Sequence, residues 1–230
     1  MSNEQKFDAI VLGHKDHKEY DKVLTLFSAT NGVQKVLLRG CKKPKAKQRF
    51  AGQQFFFGEF VIAKGKGYDI VTTVEAKKTF ISLASDYDAY LNASQILKTI
   101  EHSSLSQSSE RQFLLLLTYL TVLENNLEKS DLLTCKFLVE YFKLQGLQLN
   151  IEMCANCSQK LENAYFDLIS GGFVCEKCRT AGSQYLSSNQ MQILAILNQN
   201  KFLKLVNLDA KSNQLKPINK LFFDLLNNFF

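Results

Sequence analysis

Four cysteines in two close pairs constrain the fold of this chain more than any other sequence feature. Cys154 with Cys157 and Cys175 with Cys178 give the spacing C-x2-C-x17-C-x2-C. Two such pairs place four thiolates around one ion, and zinc is expected because it accepts an all-sulfur shell and has no redox chemistry. The Ser-Gly-Gly-Phe stretch at residues 170–173 allows a tight hairpin before the second pair. The spacing therefore predicts a zinc ribbon at residues 151–182.

The predicted zinc site is structural rather than catalytic, because four protein ligands leave no coordination position for water. A zinc ribbon can also contact DNA or protein. Its charged side chains nearly balance, however, so we favour a role in stapling the fold. These charged residues are Lys160, Lys177, Arg179, Glu152, Glu162, Asp167 and Glu176. Of the two remaining cysteines, Cys135 is expected to be buried, and Cys41 lies among cations that would favour its thiolate.

The chain shows no sign of export or membrane insertion. It has no run of about 18 apolar residues, which a membrane span requires. Its first ten residues, MSNEQKFDAI, lack a basic region followed by an apolar run. We therefore expect a cytoplasmic protein whose cysteines stay reduced, which favours metal binding over disulfides.

Positive charge is concentrated in the first third of the chain. The net charge is +6, and residues 1–80 carry 15 Lys and Arg against 8 Asp and Glu. Most of the excess lies in residues 35–49, KVLLRGCKKPKAKQR, which we call the basic segment. It contains no acid and seven cations, namely Lys35, Arg39, Lys42, Lys43, Lys45, Lys47 and Arg49. Such a segment is either a solvated loop or a contact for a polyanion, and binding to nucleic acid would then depend strongly on salt.

Residues 1–80 predict five short strands, at residues 6–13, 20–28, 33–39, 54–64 and 68–76. Five strands with one longer excursion after the third are typical of an OB barrel. OB barrels bind oligonucleotides through their second and third strands and through two loops. Here the first loop carries Lys15, Lys18 and Lys22, and the second carries Lys64 and Lys66.

Three aromatic residues lie near these loops, Tyr20, Tyr68 and Phe50. Each could stack on a base or face the barrel core, and the sequence favours the core for any one of them. Because the basic segment leaves the third strand, outside the two usual loops, we expect it to be a free arm that closes over bound DNA.

Residues 81–230 predict helices, because apolar residues recur there at helical spacing. Ser187 and Gln190 fit a capping box, residues 201–208 fit either a short strand or a helix, and a last helix is expected from Pro217. The predicted fold class is therefore α+β. A basic OB domain at residues 1–80 precedes a helical domain at residues 81–230, with the zinc ribbon inserted at 151–182.

In this order of elements the chain resembles the RecO family of bacterial DNA repair proteins. Three features carry the resemblance: HKEYDKVLTLFSATNGV at residues 17–33, the basic stretch VLLRGCKKPKAKQR, and the cysteine cluster after a helical block. One departure is the order Lys-Glu-Tyr-Asp at residues 18–21, where a Glu-x-Asp-like pattern is expected. We treat Glu19 and Asp21 as strand-edge residues.

The resemblance implies a non-enzymatic, nucleoid-associated protein of the RecF pathway. Such proteins bind single- and double-stranded DNA and anneal complementary strands. With RecR, and often RecF, they load RecA onto DNA coated by single-stranded DNA-binding protein. The residues that match the family's basic stretch are Arg39, Lys42, Lys43, Lys45, Lys47 and Arg49.

Two other classes compete with this interpretation. One is a zinc-ribbon adaptor whose basic region binds RNA or an acidic protein. The other is an enzyme, but the chain has only three histidines and lacks a nucleophile elbow, a P-loop, a G-x-G-x-x-G motif and a catalytic metal set. We therefore predict that it is not an enzyme.

Overall fold

The structure is a computed structural model that describes residues 4–103, 110–147 and 149–229. The chain divides into two compact units, Met1–Glu124 and Asn125–Phe230, and each is considered by itself. Of the helices in the described ranges, none combines the length and the apolar character that a membrane span needs.

The first unit is built on a closed five-stranded barrel. Its strands are β1 (Glu4–His17), β2 (Asp21–Ser28), β3 (Gly32–Leu38), β4 (Phe56–Ala63) and β5 (Asp69–Thr79). The order around the barrel is β1-β2-β3-β5-β4, and all neighbours are antiparallel except β3 and β5. This is the OB arrangement, so the predicted fold class is confirmed.

Buried and half-buried residues alternate along β4, and the buried ones fill the barrel. In this strand, Phe56, Gly58, Phe60 and Ile62 are buried, and the residues that alternate with them are partly exposed. The period of two places one face of each strand in the core. The inward residues from all five strands form one apolar cluster that also includes Cys41 and Ala51 from the β3–β4 connection.

Two helices complete the first unit, α1 (Tyr87–Ser103) and α2 (Glu110–Glu124), and a 3-10 turn at Ile81–Ser85 precedes them. The Phe113 ring on α2 packs against Phe27 at 5.8 Å and Phe57 at 6.1 Å between centroids. The sequence-based domain boundary after residue 80 falls inside this compact unit, and it stays a prediction.

The second unit contains four helices in its described residues and the predicted ribbon. The helices are α3 (Ser130–Leu144), α4 (Ser188–Gln199), α5 (Phe202–Leu205) and α6 (Ser212–Phe229). The ribbon strands are β6 (Ala164–Asp167), β7 (Gly172–Val174) and β8 (Gln184–Leu186), in the order β7-β6-β8. Helix α3 is buried along almost its whole length, as expected for a central helix.

Local predictions for the second unit had mixed outcomes. Ser187 and Gln190 form the predicted capping box, and residues 202–205 are helical. The predicted start of the last helix at Pro217 is wrong, since α6 begins at Ser212. Tertiary contacts explain the earlier start: the Ser212 hydroxyl donates to the Asp131 carboxylate, and the Asn219 amide donates to the Asp131 carbonyl at 2.9 Å.

Candidate nucleic-acid interface and metal centre

The connection between β3 and β4, which holds most of the basic segment, packs against the barrel core. It continues from β3 through a series of turns into a 3-10 helix at Arg49–Gly52. Cys41 and Ala51 are buried in the barrel core, and the Phe50 ring packs on Phe56 at 5.4 Å. Cys41 within the segment, and Phe50 and Ala51 just after it, therefore hold it against the barrel, and most of its cations remain exposed.

Asp21 holds the turn of the basic segment that follows β3. Its carboxylate accepts a hydrogen bond from the Gly40 N–H at 2.7 Å, and Gly40 has a φ of +64°, which favours glycine. Next to it, the Tyr20 carbonyl accepts from the Lys42 N–H at 3.0 Å. Sequence reasoning treated Asp21 as a strand-edge residue and missed this role. An acid at the start of β2 and a glycine just after β3 were the available signal.

The segment was expected to be a free arm, but both of its ends are bonded. Besides the contacts of Gly40 and Lys42, the Gln48 amide donates to the Thr72 carbonyl at 3.3 Å. Successive turns between these points are closed by backbone hydrogen bonds from Lys43 to Gly40 and from Ala46 to Lys43. The cations are thus presented from a folded connection.

The end of the β1–β2 hairpin contacts both other basic regions of the barrel. The Asp16 carboxylate, near the end of β1, lies 2.8 Å from the Lys42 ammonium, and Lys43 lies over the Tyr20 ring at 5.7 Å. On the other side, the His17 ring meets Tyr68 of the β4–β5 loop edge-on at 6.2 Å. The structure thereby brings three predicted basic regions together.

We call eight exposed cations of these three regions the cationic surface, and we leave out Lys64, which is exposed but pairs with Asp69. Its members are Lys15, Lys18, Arg39, Lys43, Lys45, Lys47, Arg49 and Lys66. Within the part of the chain that the structure describes, none of them forms an ion pair with a carboxylate. Lys35 lies elsewhere, in the middle of β3 opposite Thr25, whose hydroxyl contacts Glu101 of α1.

Three other predicted DNA-binding lysines already have protein partners. Lys22 is half-buried and donates to the Gly52 carbonyl at 3.0 Å. Lys42 pairs with Asp16, and Lys64 pairs with Asp69, each at 2.8 Å. Hydrogen bonds from these lysines lower the pKa of both carboxyl groups. A phosphate would have to compete with these contacts, so we rank the three lysines below the cationic surface.

The three aromatic candidates take different environments. Phe50 is partly buried and packs against the core, whereas Tyr20 is 40% and Tyr68 43% exposed beside the cationic surface. The two tyrosines are therefore the rings that a base could reach. The prediction for Cys41 is wrong, because burial raises the pKa of its thiol more strongly than the nearby Lys22 lowers it.

The four ribbon cysteines converge on one point. Their Sγ atoms all lie within 4.8 Å of one another, and Cys157 and Cys175 are 3.7 Å apart. Tetrahedral zinc–thiolate bonds would set the sulfur atoms roughly 3.8 Å apart. Four sulfur donors at this spacing fit one metal ion.

Backbone hydrogen bonds prepare the cysteine cluster. The Ala155 N–H donates to the Phe173 carbonyl at 2.8 Å, which joins the first pair to the hairpin, and the Cys175 N–H donates to Cys154 Sγ at 3.3 Å. Burial opposes ionisation of Cys154, but N–H donors lower the pKa of its thiol to about 6. Hydrogen bonds to Cys157 and Cys175 raise the pKa of Cys178 to about 12. A bound metal would displace such protons.

Besides the cysteine cluster, hydrogen bonds to the Asp167 carboxylate stabilise the ribbon. This fully buried carboxylate accepts from the Ser170 N–H at 2.8 Å, the Ser183 hydroxyl at 2.7 Å and the Thr180 hydroxyl. These donors, the hydroxyls first, hold the pKa of Asp167 well below its usual range. From the sequence, we treated Asp167 only as one of the balancing charges of the ribbon. No residue near it in the sequence indicated that its carboxylate accepts these hydrogen bonds.

Comparison with known proteins decides the family. Residues 1–80 match the model described as Recombination protein O N terminal, and residues 84–228 match Recombination protein O C terminal. This chain belongs to the RecO family. The resemblance found in the sequence is confirmed, and the chain is a RecO-family DNA repair protein.

Individual RecO proteins support the assignment over most of the chain. The DNA repair protein RecO of Pelotomaculum thermopropionicum is 31% identical over 198 residues, which cover 84% of this chain and 77% of the relative. The RecO of Desulfitobacterium hafniense is 29% identical over 206 residues, covering 86% and 75%. That of Desulforamulus reducens is 28% identical over 204 residues, covering 87% and 79%.

Proposed function

We propose that this protein is a non-enzymatic recombination mediator that binds single- and double-stranded DNA, anneals complementary strands and helps to load RecA onto DNA coated by single-stranded DNA-binding protein. The observation that carries the proposal is the cationic surface, formed on an OB barrel in a RecO-family chain. Its cations stay free of ion pairs within the described residues and therefore remain available to phosphates.

Binding through this surface would be electrostatic and independent of sequence. Each cation that neutralises a phosphate releases condensed counterions, and it changes the slope of log affinity against log salt by about −0.7 for single strands. Tyr20 and Tyr68 would add stacking on bases, which every base permits.

Phosphate contacts also explain annealing. A protein that holds strands by their backbones reduces the repulsion between two polyanions and leaves most base edges free to pair. The chemistry requires no bond to be made or broken by the protein, in keeping with a non-enzymatic role.

We further propose that the metal is one zinc ion bound by Cys154, Cys157, Cys175 and Cys178. The proposal rests on the four-sulfur donor set and its spacing. Zinc bound in this way supplies folding energy to the ribbon. Because the four thiolates complete its shell, no position remains for a substrate or an activated water.

The proposed partners follow from family membership. They are RecR, the tail of single-stranded DNA-binding protein and, in the same pathway, RecF and RecA. The protein would act with them at the bacterial nucleoid, where their shared DNA lies.

The first test compares ligands at equal ionic strength. Fluorescence anisotropy should show binding to single- and double-stranded DNA, and a strand-pairing assay should show faster annealing of complementary oligonucleotides. A clear preference for RNA or for an acidic peptide would favour the adaptor interpretation instead. ATP hydrolysis above background would contradict the non-enzymatic assignment.

A further inference from the structure

A cavity of about 300 Å³ opens in the first unit beside the barrel. Its walls are mainly aromatic and apolar, with Phe55, Phe80, Ile81 and Tyr90 among them. Four polar side chains also line it, namely His14, Gln53, Gln54 and Thr79. A cavity with aromatic walls and a few polar groups is the usual form of a site for a flat, partly polar ligand.

Phe55 enters this cavity wall at a conformational cost. Its φ is +65°, which is unusual for a bulky residue. Two backbone hydrogen bonds hold it there, from its N–H to the Val11 carbonyl at 3.1 Å and from the Phe80 N–H to its carbonyl at 3.4 Å. Backbone strain of this kind clusters at ligand sites.

The aromatic wall is organised but reaches solvent. The Tyr90 ring meets Phe55 edge-on at 5.6 Å, and its hydroxyl lies 3.4 Å from the Gln54 amide oxygen. The Gln54 amide nitrogen donates to the Leu12 carbonyl at 3.0 Å, which fixes the amide plane. Tyr90 is 42% and Ile81 69% exposed, so an occupant would bury apolar surface that is now in water.

The charge beside the cavity indicates what the occupant is attached to. Gln53 follows directly on the Arg49–Gly52 helix of the basic segment, and Gly52 accepts the hydrogen bond from Lys22. The side chains of His14 and Lys22 lie on the same face of the β1–β2 pair, because Asp16, two residues after His14, is opposite Lys22. The mouth thus lies next to a cation, Lys22, that suits a phosphate.

We propose that this cavity receives one unpaired nucleobase of a strand bound on the cationic surface. Phe55, Phe80 and Tyr90 would pack on the base, and the amides of Gln53 and Gln54 would hydrogen-bond to its exposed edge. A base inside a duplex cannot enter, so the cavity favours single strands. The inference rests on the proposed DNA binding and adds the element that senses an unpaired base.

The test compares an oligothymidylate with an abasic oligonucleotide of equal length and charge. The wild-type protein should bind the thymidylate at least about tenfold more tightly, because the cavity, Tyr20 and Tyr68 can each take a base. Tyr90→Ala removes a wall of the cavity, and Ala84→Leu narrows it from an exposed position in its lining. Both variants should lower the preference about fivefold without changing the salt slope, and the remainder comes from Tyr20 and Tyr68.

Matched controls come from the same region. Tyr87 is 79% exposed on α1 and Ser85 is exposed in the preceding turn, and neither is part of the lining. Tyr87→Ala and Ser85→Leu should keep the wild-type preference. A single 2-aminopurine in the strand should be quenched by the wild type and these controls, and less by the cavity variants. Circular dichroism should show the same fold throughout.

The outcomes separate the two proposals. Equal wild-type affinity for both oligonucleotides would overturn the base cavity and leave the electrostatic DNA-binding proposal standing. Full preference in both cavity variants would also overturn it. Failure of the wild type to bind either oligonucleotide would overturn both proposals.

Discussion

The barrel and the four-cysteine ribbon are both small β structures, but different interactions stabilise them. The barrel closes five strands around a continuous apolar cluster. The ribbon has three strands of only three or four residues, with Phe166 and Phe173 as its buried rings. Burial suffices for the first, because its apolar area is large. The second lacks that area and depends on four thiolates and a buried carboxylate.

The two regions also differ in how they use charge. On the ribbon, Arg179 pairs with Glu176 at 3.1 Å and lies over the Tyr165 ring at 4.8 Å. On the barrel, the basic segment buries its apolar residues and leaves cations without acidic partners. We therefore propose DNA contact for the barrel and structural support for the ribbon.

The largest expected effect is loss of the metal. Cys154→Ser removes a buried ligand, and because structural zinc contributes about 10–16 kcal/mol of apparent binding energy in small peptides, the ribbon strands should unfold. Mass spectrometry should show loss of the ion, and hydrogen exchange should become fast in β6–β8 while the barrel stays protected.

Cys41→Ala is the matched control for the metal, since Cys41 lies in the barrel core. It should keep one ion per chain. If Cys154→Ser keeps the ion and slow hydrogen exchange in β6–β8, the ribbon does not depend on its four thiolates as we propose.

A smaller effect is expected from the buried carboxylate of the ribbon. Asp167→Ala leaves two hydroxyls and one N–H without their acceptor, and hydrogen bonds to charged groups contribute about 1.5–3 kcal/mol each. We expect at least about 3 kcal/mol lower stability of the ribbon, read from hydrogen exchange. Glu162→Ala, an exposed acid nearby in sequence, should have almost no effect. Equal hydrogen-exchange rates in Asp167→Ala and Glu162→Ala would contradict the stabilising role of the Asp167 carboxylate.

Loss of the Asp21 carboxylate should lower the free energy of unfolding of the barrel by about 2 kcal/mol. Asp21→Ala removes the acceptor that holds the Gly40 turn, so urea unfolding should shift and DNA affinity should fall with the displaced basic segment. Asp21→Asn retains a carbonyl oxygen and should recover much of the loss. Asp16→Ala breaks only an exposed ion pair and should cost less than 1 kcal/mol. A smaller loss of stability for Asp21→Ala than for Asp16→Ala would contradict the role of Asp21 in holding the Gly40 turn.

The smallest difference distinguishes two neighbouring lysines. Lys45 is exposed without an ion pair in the described structure, whereas Lys42 pairs with Asp16. Lys45→Ala should change the salt slope of single-strand binding by about 0.7, and Lys42→Ala by less. Anisotropy titrations at several salt concentrations measure both slopes. The reverse order would show that the ion pair opens on DNA.

The sequence predicted features that depend on local pattern. Five short strand segments with one longer excursion, and the spacing of the four cysteines, were enough for the barrel and the metal cluster. It missed features that depend on tertiary contacts. Burial of Cys41 reverses its expected pKa shift, and Asp131 draws the start of α6 five residues ahead of Pro217. The base cavity was equally invisible, because β1, the residues before β4 and α1 meet there only in the fold.

The most direct test of the account is a salt titration of single-stranded DNA binding. The variant carries Lys43→Ala, Lys45→Ala and Lys47→Ala, and the control removes equal charge from the second unit through Lys201→Ala, Lys204→Ala and Lys211→Ala, which are also exposed. We predict that the slope of log affinity against log salt falls in magnitude by about 2 for the variant and stays at the wild-type value for the control. Equal slopes for wild type and variant would contradict the assignment of DNA binding to the barrel.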